Sequence, residues 1–149
     1  MKSKNVYFFQ RCALLVFVAL AGCMAGVKDQ DNLVIRTRAV ERWDLLVAHQ
    51  AEKAYDYLSP GYRGTKPRAA YAEEMNGRPI RWTKVQFGSQ DCDADVCHVH
   101  LNVNYTVMLG GLAGKTQTIG MVVETWVKIK GQWYFLPEQF RPTKLGKDS

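Results

Sequence analysis

Hydrophobic positions recur at three- and four-residue steps in the first half of the chain and at two-residue steps after about residue 80. Leu33, Arg36, Val40, Trp43, Leu46 and Val47 predict one side of a helix that begins near Asn32. Arg38, Glu41, Arg42 and His49 occupy its other sides, and Asp31 or Asn32 serves as the N-cap. Ala51, Ala54, Tyr55 and Leu58 predict a second, shorter helix closed by Ser59-Pro60-Gly61. A third runs from about Pro67 to Met75 and stops at Asn76-Gly77.

The two-residue rhythm predicts strands over about 80–89, 96–109, 116–130 and 133–136. The connections are the turn-rich segment Gln90–Asp95, the glycine-rich stretch after Leu109, and Gly131-Gln132. Side chains two apart on a strand share a face. Val99, Leu101, Val103, Tyr105 and Val107 therefore form a core face, with His98, His100, Asn102, Asn104 and Thr106 outside. On the next strand Ile119, Met121, Val123, Val127 and Ile129 are expected inside. Thr118, Val122, Glu124, Trp126 and Lys128 are expected outside. Helices followed by hairpin-linked strands predict an α+β domain, its N-terminal helices packed on a curved antiparallel sheet of about four strands.

The N-terminus follows a different logic. Lys2, Lys4 and Arg11 precede an unbroken apolar run from Cys12 to Gly22, too short to span a bilayer core, which needs about 20 apolar residues. It reads as the hydrophobic region of a signal peptide. The run ends in Leu20-Ala21-Gly22-Cys23, which resembles the lipobox of bacterial lipoproteins. That resemblance implies cleavage before Cys23, lipid (palmitate among the acyl chains) on its sulfur, and a cell-envelope location. Met24, rather than Asp, implies the outer membrane facing the periplasm. The expected organisation is a signal peptide over 1–22, an anchor and polar tether over 23–32, a domain over 33–138 and a polar tail over 139–149.

Processing changes the charge. The chain of 149 residues has 20 basic and 14 acidic side chains, and loss of the leader leaves 17 basic against 14 acidic, a net +3. With no basic run or basic helix face, nucleic acid is not among the expected partners. With Cys12 removed and Cys23 acylated, Cys92 and Cys97 remain, and in an oxidising compartment a disulfide is the favoured state. Metal capture through them, or free thiols, are the alternatives. No later His or Cys completes a closed site, so no metal is expected.

Ala39–Leu46, Ala54–Pro60 and the closing hairpin Trp126–Tyr134 are similar to the nuclear-transport-factor-2-like (NTF2-like) superfamily with its cystatin-like fold. The similarity extends over about residues 33–138. It implies a cone in which a curved sheet wraps the helices, often around a pocket. Members include enzymes and binding proteins, so fold alone does not supply function.

His98, His100 and Asn102 are most simply a solvated row, with a partner contact or weak metal capture as the alternative. Trp126 and Val122, on that expected outer face, would either mark an interaction surface or be covered by their neighbours or the tail. Gly110–Thr116 is not a phosphate loop, because Leu109 stands where its first glycine is required and the segment joins two strands. Asp44 and Asp56 are the nearest carboxylates to apolar neighbours, each more simply exposed on a helix, and no catalytic residue is assigned. The expected function is a non-enzymatic, lipid-anchored envelope protein. It would bind a protein partner or a small apolar ligand, with no cofactor and with a homodimer as one option. Its rivals are a periplasmic isomerase or hydrolase, with a pocket of Trp43, Tyr55 and Tyr71 and an acid such as Asp44, and a subunit of an envelope or secretion assembly.

Overall fold

The computed structural model describes residues 22–108 and 115–138, with the side chains of 22–28, 108 and 115 not among those described. The expected signal peptide, the lipid on Cys23, the body of the 110–116 loop and the tail after Glu138 lie outside these limits. Two compact units, 1–33 and 34–149, divide the chain.

Helix α1 spans Gly22–Val47, beginning ten residues ahead of the expected start at Asn32. The segment read as a tether has, apart from its glycines, residues a helix accepts, and no proline interrupts it. Within the second unit α1 buries Ile35, Ala39, Arg42, Trp43 and Leu46, a face rotated from the expected one. Arg36 is exposed and Val40 half-buried. Arg42, expected on the polar side, is buried because its counter-ion lies on the sheet.

Helix α2 (Ala51–Ala54) runs into a 3-10 turn over Tyr55–Tyr57. Ser59-Pro60-Gly61, expected only to end a helix, also starts one, α3 (Pro60–Thr65). The Ser59 hydroxyl accepts from the Tyr62 amide, and Pro60 sits in the first turn, where its missing N–H costs nothing. Helix α4 (Arg68–Asn76) ends at Gly77, as the sequence predicts.

Strands β1 (Ile80–Asp93), β2 (Val96–Met108), β3 (Lys115–Ile129) and β4 (Gln132–Leu136) form one antiparallel sheet in sequence order. The β1–β2 turn shrinks from the expected six residues to Ala94-Asp95, with Ala94 at φ 46°. In β2, Val99, Leu101 and Val103 are buried against the helices. Thr106, expected outside, is buried as well.

The faces of β3 are the reverse of those expected. Val99 pairs with Glu124, Leu101 with Val122 and Cys97 with Trp126, and cross-strand partners share a face. Glu124 and Trp126 are therefore buried, while Ile119, Met121, Val123 and Ile129 are exposed. The pairing of β2 with β3 decides which side chains face the helices, and a slip of one residue would exchange the two faces.

Candidate functional site

The site begins with a charge on α1. Arg42 lies one residue before Trp43, and both point at the sheet, where Glu124 of β3 receives them. Glu124 Oε1 accepts from Arg42 Nη1 at 2.5 Å and from the Trp43 indole N–H at 2.7 Å. Its Oε2 accepts from the Trp126 indole N–H at 3.0 Å. Arg42 Nη2 reaches the Tyr71 hydroxyl of α4 at 3.3 Å, and the guanidinium lies over the Phe135 ring, 4.0 Å from its centroid.

Burial pushes the Glu124 carboxyl above its ordinary range, against the pull of Arg42 and of the Trp43 and Trp126 hydrogen bonds. Burial lowers the Arg42 pKa, but Glu124 and Tyr71 outweigh it, so the guanidinium is held more firmly charged than usual. All three partners of Glu124 are donors without acceptor capacity, an arrangement made for a carboxylate.

A cavity of about 380 Å³ opens above this pair. Trp43, Tyr71, Trp82, Tyr105 and Phe135 supply aromatic walls, with Leu46, Met75, Val103 and Val122 between them. Trp43 and Trp82 meet edge to face, centroids 5.4 Å apart. Glu74 and Arg78, bonded to one another at 3.1 Å, also line it. The volume falls within the range of about 300–1,000 Å³ usual for small-molecule sites, and an apolar wall with few polar groups is their usual lining.

The residues expected at the site divide. Trp43 and Tyr71 line the cavity, but Tyr55 does not: it packs beside Tyr71 and donates its hydroxyl to the Lys66 carbonyl at 2.6 Å. Asp44, the acid proposed for the pocket, is exposed, since its position on α1 turns it away from the buried face. Asp56 is exposed and paired with Arg68 at 2.6 Å. The hydrogen bond from Arg68, with its charge and that of Arg63, holds the Asp56 carboxyl below its ordinary range against a smaller effect of burial.

The expected interaction face loses Trp126, which is fully buried on the helix side of the sheet. His98 and Asn102 are exposed and His100 half-buried on the opposite side, with His98 Nδ1 at 3.3 Å from the Thr125 hydroxyl. Cys92 and Cys97 are bonded across the β1–β2 ladder, S–S 2.04 Å.

Glu124 is the residue the sequence reading missed. Its signal was present only in combination: Val99 was placed inside, and its cross-strand partner must follow it.

No family model and no curated protein matches this chain. Solved structures do. An NTF2-like protein with a cystatin-like fold from Novosphingobium aromaticivorans is 13% identical, with 78% of this chain and 82% of that one covered and a TM-score of 0.51. A Mycobacterium tuberculosis protein of unknown function is 18% identical over 73% of this chain and 70% of its own, with a TM-score of 0.45. A SEC-C motif containing protein from Rhodopseudomonas palustris is 12% identical over 64% and 70%, with a TM-score of 0.49. At such identities a likeness speaks for the backbone and not for an activity. The helices on a curved four-stranded antiparallel sheet, together with the first of these structures, show that this chain has the NTF2-like α+β fold.

Proposed function

We propose that this protein binds a small, largely apolar ligand in the cavity above the Arg42–Glu124 pair while held at the cell envelope by lipid on Cys23. The observation that carries the binding reading is the aromatic-walled cavity of about 380 Å³ with a buried ion pair at its base. Apolar walls supply affinity in proportion to the area removed from water, and the polar base orients what enters. The anchor rests on the leader and on Leu20-Ala21-Gly22-Cys23.

Titration with anilinonaphthalene sulfonate, followed by its emission, tests the cavity. Val122→Phe places a larger side chain in the lining and is expected to abolish saturable binding while thermal unfolding changes little. Equal binding by both forms would place the probe elsewhere and remove the support. For the anchor, Cys23→Ala should leave an unprocessed, acyl-free chain. A variant that fractionates and migrates as the wild type does would overturn that part.

One observation favours a second reading, an acid/base enzyme. Glu124 is a buried cavity-lining carboxyl whose pKa is raised, a property general acids need near neutral pH. Three donors already hold it, so binding is the reading preferred.

A further inference from the structure

The sheet treats its edges unequally. The outer edge of β1 is broken by register shifts between Trp82 and Lys84 and between Phe87 and Ser89, and it exposes Arg81, Lys84, Asp91 and Asp93. Bulges and charges are the devices that keep an edge strand from pairing with another chain. The edge of β4 is only five residues long. Leu58 bridges Phe135 there, and the Ser59 amide donates to the Phe135 carbonyl at 2.8 Å.

β3 has neither protection. On one side β2 pairs with it from Lys115 to Val127, but on the other β4 covers only Thr125–Ile129. Among the described residues no strand lies beside that second edge from Lys115 to Glu124. The run Thr116–Val123 (Thr-Gln-Thr-Ile-Gly-Met-Val-Val) contains no charge and no proline. Ile119 and Met121 are 65% and 71% exposed. Such an edge, uncovered among the described residues, offers alternating N–H and C=O groups beside apolar side chains, which is what an added strand requires.

We propose that two copies of this chain join along this edge, β3 to β3 and antiparallel, into one continuous eight-stranded sheet. Pairing about a two-fold axis at Gly120 keeps every residue on its own face. It sets Ile119 opposite Met121 of the partner subunit, twice by symmetry. The run is uncharged, so no like charges meet across the new ladder.

The chain's own tail fits the edge poorly. If β4 continued in register, Pro137 would stand opposite Glu124 and Pro142 opposite Ile119. An odd spacing of five turns the two missing N–H groups to opposite sides, so one proline would break the ladder to β3.

Analytical ultracentrifugation of the full chain in density-matched detergent tests this. The wild type is expected to show a reversible monomer–dimer equilibrium. The double variant Ile119→Lys/Met121→Lys puts like charges opposite each other at both symmetric contacts and should weaken the dimer by roughly tenfold or more. Ile119→Lys/Met121→Glu replaces the same two exposed residues but opposes unlike charges, and it should recover most of that loss. A wild type that stays monomeric at every concentration would overturn the proposal. So would equal impairment of the two charged variants, or a dimer that appears only after residues 139–149 are removed, which would make the tail the occupant of the edge.

Discussion

Arg42 and Glu124, 82 positions apart in the chain, meet at 2.5 Å with both side chains buried. The contact ties α1 to β3 and forms the base of the cavity, so a stabilising relationship and a functional one share the same atoms. Removing two charges from water is costly, and a pair of this kind is most strongly felt when one partner is lost.

Arg42→Met leaves the Glu124 carboxylate buried without its cation, and a loss of about 3–5 kcal/mol is expected from urea unfolding. The double variant Arg42→Met/Glu124→Leu removes both charges and should recover most of that loss. A double variant as unstable as the sum of the two singles would show that the pair does not act as a unit.

Two carboxyls give stability opposite slopes with pH. Glu124 has a folded pKa above its unfolded value of 4.5, so its contribution is complete below 4.5 and is lost as pH rises through the folded value. Asp56 has a folded pKa below 3.8, so its contribution is present above 3.8 and is lost as pH falls through the folded value. Unfolding free energy measured against pH should lose the acid-side slope in Arg68→Ala. The deficit of Arg42→Met should grow as pH rises above 4.5, because that variant leaves burial less opposed.

The Cys92–Cys97 bond closes a loop of six residues, counting both cysteines. By the chain-entropy account it contributes about 2 kcal/mol. Cys92→Ser/Cys97→Ala, or the reduced wild type, should unfold at lower urea by that amount and still bind the fluorescent probe, since neither cysteine lines the cavity.

Gly120 leaves room for the Tyr105 ring. A Cβ there would stand 3.1 Å from Tyr105 Cε1, and Tyr105 is a wall of the cavity. Gly120→Ala should displace the ring and weaken probe binding several-fold with a small change in stability. Unchanged binding would mean that Tyr105 does not shape the site.

Most elements, the fold class and the cysteine pair were legible in the chain because local rules govern them, whereas α3 and the first ten residues of α1 were not. A 3.6-residue rhythm writes α1, a two-residue rhythm writes β2, Asn76-Gly77 stops α4, and Gly131 at φ 81° completes the tight turn before β4. Of the three aromatic residues expected at a pocket, Trp43 and Tyr71 line the cavity and Tyr55 does not.

What failed was every inference that needed a register. Counting apolar residues on β3 favours Ile119, Met121 and Val123 for the core, yet all three are exposed. Glu124 and Trp126 lie inside because β2 pairs Val99 with the one and Cys97 with the other. Arg42 likewise looks like a surface residue until Glu124 is opposite it. Periodicity says that a strand has two faces, and helix rhythm says that one side is buried. Which face meets which helix depends on partners far away in the chain, and only the tertiary structure brought Arg42 and Glu124 together.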